Sequence, residues 1–114
     1  MNNDFVCMVS SNILEKIKQW SSEGNIRFRK HAFIRLVERR IKVAEVEEAL
    51  QHAKIIMRYP DDTPLGSILL LGYTNAKRPL HIVAAPDQNL SCIWIITVYE
   101  PDAEKWDQSL TKRR

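Results

Sequence analysis

Residues 79–99 read PLHIVAAPDQNLSCIWIITVY. Two apolar runs, Leu80 to Ala85 and Ser91 to Tyr99, flank the turn-forming PDQN. That pattern predicts two long strands joined as a hairpin. Side chains alternate across a strand. Leu80, Ile82 and Ala84 therefore share one face, and His81, Val83 and Ala85 share the other. In the second run Trp94, Ile96 and Val98 oppose Ile95, Thr97 and Tyr99. Burying the apolar set leaves His81, Thr97 and Tyr99 together on the second face, with Arg78 at the strand entrance within reach.

Upstream, Ser67 to Tyr73 is another apolar run, and Thr74–Lys77 reads as a hairpin turn. Ile55 to Tyr59 is a fourth strand, stopped by Pro60. The stretch YPDDTPLGS between them is a loop, so the adjacent Asp61 and Asp62 read as turn residues. Before Lys54 the period is helical. Ile13, Leu14, Ile17 and Trp20 make one apolar stripe, with Ser11 or Asn12 to cap it and Gly24 to end it. His31 to Arg40 forms a second helix, whose expected buried stripe is Ala32, Phe33, Leu36, Val37 and then Ile41. A third runs from about Val43 to His52, with Val46, Ala49 and Leu50 inward and no good N-cap residue before it. Arg27–Arg29 is an edge strand or the approach to the second helix. Trp106 is expected to pack a short final helix onto the sheet. The order predicts an α+β domain, its helices gathered on one face of a curved, mainly antiparallel sheet of four or five strands.

At 114 residues, 45% hydrophobic and 27% charged, the chain is sized for one globular domain. Residues 1–24 form an N-terminal helical extension, 26–106 the core and 107–114 a basic tail. No apolar run reaches the ~20 residues of a membrane helix. The N-terminus has an early Asp4 and no basic lead-in, unlike a secretory signal. Cys7 and Cys92 lack metal-ligand spacing and read as reduced thiols of a cytoplasmic protein.

Net charge is +3, but it is unevenly spread. Between Ile26 and Lys42 seven basic residues face one acid, Glu38, a local net of +6. Such a segment favours an anionic partner. His31, Arg35 and Arg39 stand four residues apart and so stack on one helix face. His81 is the leading ionisable candidate, because an imidazole inside LHIVAA can change charge near neutral pH. His52 ends a helix and reads as structural.

These groups suit phosphate chemistry. RNA cleavage without a metal needs a base for the 2′-hydroxyl, an acid for the leaving 5′-oxygen and fixed cations for the charged phosphorane. His, Tyr and Arg fill all three roles. The alternatives are missing: the three glycines do not cluster into a phosphate loop, no histidine pair has metal-ligand spacing, and no serine or cysteine has a nucleophile signature. No cofactor or metal is expected.

The segments KHAFIRLVERRI, VEEAL, YPDD, LLLGY, RPLHIV and ITVYEPD, spanning about Ile26 to Trp106, resemble a family of small bacterial domains of unknown function. That family is related to the RelE-like toxin superfamily, which includes BrnT and MqsR. The resemblance implies a RelE-like fold, a neighbouring antitoxin (in some cases with a zinc-finger domain) and endoribonuclease activity on messenger RNA. Carried over residue by residue, it points to His31, Arg35, Arg39, Tyr59, Arg78, His81, Thr97 and Tyr99. Lys42-Val43 replaces the usual Ser-like cap, and the helix before Gly24 is an addition.

The leading expectation is a toxin-like, metal-independent endoribonuclease. In it His31 or His81 is base or acid, Tyr99 is the other proton donor or an orienter, and Arg35 and Arg78 stabilise phosphate. Arg39, Lys30, Tyr59 and Thr97 bind RNA. The alternative is a non-catalytic module that holds nucleic acid or a protein through the same basic face. A third reading is an interaction domain whose polar face is a network of surface pairs. The oligomeric state stays open; a homodimer through the N-terminal stripe is one arrangement, and packing of that stripe onto the domain the other.

Overall fold

Five strands make one open sheet in the order β1-β5-β4-β3-β2: β1 Ile26–Phe28, β2 Lys54–Tyr59, β3 Ser67–Tyr73, β4 Pro79–Asp87 and β5 Cys92–Tyr99. Among the described residues three helices join them, α1 Ile13–Ser22, α2 Lys30–Glu38 and α3 Val43–Gln51. The computed structural model describes residues 12–114. Cys7 and the cap candidate Ser11 lie outside the described residues.

The four strands from β2 to β5 pair antiparallel in sequence order. β1 departs from the expected pattern. It pairs parallel with β5, Ile26 to Ile93 through Phe28 to Ile95, so the sheet is mixed rather than mainly antiparallel. The reason is topological. β1 reaches its partner only after two helices and three strands, and no hairpin constrains its direction.

The helices bury one sheet face. Ile17, Ala32, Leu36, Val46 and Leu50 meet Ile68, Leu70, Ile82, Ile95 and Val98 in one core. Each such Val, Leu or Ile side chain contributes about 1.5–3 kcal/mol through removal from water. Packing is close where α3 crosses β3. A Cβ on Gly72 would lie 2.1 Å from the Ala49 carbonyl oxygen. α1 buries Ile13, Ile17 and Trp20 in this core, so its apolar stripe is used within the chain and is not left for self-association.

Two further expectations change. In β5 the register shifts between the Val83–Thr97 and Ala84–Ile95 pairs, leaving Ile96 as the extra residue of a bulge. The bulge turns Ile95 into the core beside Val98 and leaves Ile96 exposed. Strict alternation therefore fails at this one residue. In α2 only Ala32 and Leu36 are buried, while Phe33, Ile34 and Val37 are 51%, 43% and 67% exposed. Packing chiefly along β5, the helix presents only a narrow stripe to the core, and its remaining apolar residues face outward.

Backbone capping fixes the end of α2. Ile41 N–H donates to the Leu36 carbonyl (2.9 Å) and Arg40 N–H to the Val37 carbonyl (3.2 Å). This pair of bonds needs a left-handed residue, and Arg40 supplies it at φ 55°. At α3 the missing N-cap side chain is compensated from inside the helix: Glu45 Oε1 accepts the Lys42 N–H at 2.9 Å. The C-terminal segment forms no helix. It folds back through a bridge between Trp106 and Arg113, with the Asp107 carboxylate accepting from Ser109 Oγ and the Thr111 N–H.

Candidate functional site

His81 and Tyr99 are directly paired across β4 and β5, and Val83 and Thr97 pair two residues on. His81, Thr97 and Tyr99 thus share the sheet face away from the helical core. The face is not open everywhere. Trp106 covers its His81 end, with the indole edge-on to the imidazole at 4.4 Å between centroids. His81 has no accessible surface. It does not meet a ligand directly.

Both imidazole nitrogens are engaged. Nε2 lies 2.7 Å from the Leu110 carbonyl oxygen, and Nδ1 lies 3.1 Å from the Tyr99 hydroxyl. A carbonyl only accepts, so Nε2 carries the proton. Burial lowers the His81 pKa, only partly offset by the Leu110 bond, which keeps the ring neutral. Nδ1 is then an acceptor, and the Tyr99 O–H donates to it. The Tyr99 oxygen keeps its lone pairs for a donor arriving from outside. Burial raises the Tyr99 pKa, while the nearby Arg113 and Arg39 charges favour its ionised form. Arg113 stacks over Trp106 at 5.2 Å.

Arg39 reaches this face from the end of α2. Its Nη1 donates to the Val98 carbonyl (2.6 Å) and to Thr97 Oγ1 (3.3 Å). A guanidinium has five N–H donors. Nε and Nη2 remain for an anion beside Tyr99. Tyr59 is half-buried at the end of β2, and its hydroxyl donates to Met57 Sδ at 3.2 Å.

Other candidates stand apart. Arg78 spends its guanidinium inside the fold, on Glu100 (3.0 Å), Glu45 (3.2 Å) and the carbonyls of Arg40 (3.1 Å) and Arg39 (3.4 Å). The Glu100 bond leads the causes that raise its pKa, and the Lys42 N–H leads those that lower that of Glu45. Arg78 therefore ties the α2 terminus, α3 and the end of β5 together, and indirectly positions Arg39. Arg35 is exposed and paired with Glu38 at 3.1 Å. His31 and Lys30 are exposed in the first turn of α2, on no hydrogen bond to the His81–Tyr99 pair.

Sequence reading missed the C-terminal contribution. The Leu110 carbonyl and Arg113 carry no signal of their own, because the chain reversal that delivers them depends on Asp107. Among the described residues, no group of three or more His, Cys, Asp or Glu is placed to hold a metal ion. Nor is any helix there long and apolar enough to cross a membrane.

No curated protein and no solved structure matches the chain. A family model matches residues 28–100, which include Arg39, His81, Thr97 and Tyr99 but neither α1 nor the covering segment with Trp106 and Leu110. Because that match spans well over half of its length, the chain belongs to the family described as Domain of unknown function (DUF4258).

Proposed function

We propose that this domain binds single-stranded RNA on the Tyr99 face and cleaves it without a metal, as the toxin-like member of a toxin–antitoxin pair with a RelE-like fold. The hydrogen-bonded chain from Tyr99 through His81 to the Leu110 carbonyl, beside the Arg39 guanidinium, carries this reading. An RNA 2′-hydroxyl gives its proton to the Tyr99 oxygen as the Tyr99 proton moves to His81 Nδ1. The 2′-oxygen bonds to phosphorus, the bond from phosphorus to the 5′-oxygen breaks, and the 5′-oxygen takes a proton from water. The products are a 2′,3′-cyclic phosphate and a 5′-hydroxyl. The imidazolium, held by Leu110, returns its proton through Tyr99 to water. Arg39 and Arg113 stabilise the phosphorane. Tyr99 is then the catalytic group, and His81 acts only through it.

The partner surface is a separate part of the same proposal. Phe33, Ile34 and Val37 form an exposed apolar face within the basic segment that includes Lys30, Arg40 and Lys42. An acidic amphipathic antitoxin segment, with or without a zinc-finger domain, complements both features. Cytoplasmic residence follows from a messenger RNA substrate.

A second reading, a binding module without turnover, is favoured by one observation: His81 is sealed and a weakened base. Incubating partner-free protein with single-stranded RNA in chelator separates the two. Cleavage leaving cyclic phosphate ends supports the enzyme. Salt-sensitive binding with intact RNA supports the module and refutes the enzyme.

A further inference from the structure

We propose that the cleft between the residue 60–66 loop and the β4–β5 hairpin binds a guanine base of single-stranded RNA. This rests on the RNA reading above and adds a base preference to it. The cleft encloses about 470 Å³. That is within the range of small-ligand sites. Its apolar lining comes from Ala85, Ile96 and Leu65, and its polar lining includes Asp62, Thr63 and Arg29. The β5 bulge is what brings Ile96 here.

Asp62 supplies the selectivity. Its Oδ2 accepts the Ser67 hydroxyl, which orients the carboxylate and leaves Oδ1 and the second lone pair of Oδ2 for a ligand. A carboxylate only accepts. Guanine presents two adjacent donors, N1–H and the N2 amino group. Adenine and cytosine each set one amino donor beside a ring nitrogen that is itself an acceptor, and uracil has one N–H between two carbonyls. Only guanine meets a carboxylate with two donors and no facing acceptor.

Arg29 supplies the anchoring charge. Its guanidinium lies 4.5 Å from the Trp94 ring centroid, and Arg27 lies 5.5 Å from the same ring. Trp94 is held in turn by its Nε1–H bond to Asp87 Oδ2 at 3.1 Å. A cation stacked on a fixed indole stays in place at the cleft for the nucleotide's phosphate. The cleft shares the sheet face of His81 and Tyr99. Ala85 is four residues from His81 along β4, about 13 Å at ~3.3 Å per residue. One short single strand therefore occupies both places.

The test is an NMR titration of the full chain with GMP, AMP, CMP and UMP in turn. GMP is expected to bind about ten-fold more tightly than the others, as a bidentate base contact gives, with shifts at Arg29, Ala85 and Ile96. In Asp62→Asn the amide carbonyl can still accept from Ser67, and the guanine preference is lost. In Arg29→Gln all four nucleotides weaken alike. Equal binding of the four by the wild-type protein, or no shifts at these residues at millimolar nucleotide, overturns the proposal without relying on any variant. Undiminished GMP preference in Asp62→Asn overturns it as well. Cleavage is scored separately. Guanine-selective binding with no RNA cleavage refutes only the enzyme reading, and cleavage without guanine binding refutes only this inference.

Discussion

The Tyr99 hydroxyl donates to a His81 ring whose other nitrogen is pinned to the Leu110 carbonyl, across distances of 3.1 and 2.7 Å. The pair is one proton path with a buried end and a half-exposed end. The path has measurable consequences for folding as well as for chemistry.

Stability should depend on pH at both limits. The folded His81 pKa lies below its ordinary value of 6.5, so on acidification the unfolded chain takes up a proton before the folded one does. Stability contributed by the neutral ring is therefore present above about pH 6.5 and is lost as pH falls from there towards the folded pKa. The folded Tyr99 pKa lies above 10.0, so stability also declines as pH rises past about 10. Urea unfolding measured across this range should show the acid limb flatten in His81→Gln. An acid limb unchanged by that substitution would contradict the burial and pairing assigned to the ring.

Arg78 should behave as a structural residue. Arg78→Ala should cost about 1–3 kcal/mol, the scale of losing hydrogen bonds to charged partners. It should leave the salt dependence of RNA binding unchanged, whereas Arg39→Ala should lower that slope by about one. The reverse pattern would make Arg78 a phosphate ligand. At the same junction, Arg40→Gly should raise stability by up to about 1 kcal/mol, because a left-handed arginine is strained. A fall in thermal stability would show that the Arg40 side chain makes a larger contribution than its backbone strain.

The exposed face of α2 should be dispensable for folding. Val37→Ser and Ile34→Ser should change stability by within about 0.5 kcal/mol, as exposed positions do. Both should weaken capture of the product of an adjacent small reading frame, measured by calorimetry on the co-expressed pair. Loss of stability without loss of capture would mean that the face belongs to this chain's own packing.

Sequence patterning carried the hairpin that pairs His81 with Tyr99, because period-two alternation is local to each strand and the PDQN turn sets them side by side. It failed at Ile96, since a bulge leaves no mark in a run of β-formers. In α2, Phe33 and Val37 fit a helical stripe as well as Ala32 and Leu36 do, and only the placement of the helix along β5 decides which pair is buried. The direction of β1 and the cover over His81 are contacts made across most of the chain length, with no local pattern to announce them. Arg78 reads in the sequence as a phosphate-stabilising cation at the strand entrance, and its role as the tie between Glu45 and Glu100 depends on where three elements end, which no local pattern shows.

In the proposed reaction the Tyr99 oxygen, backed by His81, works on an RNA phosphodiester. The direct measurement is single-turnover cleavage of single-stranded RNA, in chelator, by wild-type protein, Tyr99→Phe and His81→Gln, with the pH profile of each. Tyr99→Phe leaves the buried His81 Nδ1 without its donor, so it should stay folded but lose about 1–3 kcal/mol of stability. At a temperature where it is folded it should cleave ~100-fold or more slowly, the usual scale of a lost proton-transfer group. His81→Gln should also slow cleavage and shift the acid limb of the profile. Cleavage by Tyr99→Phe at the wild-type rate would contradict the account.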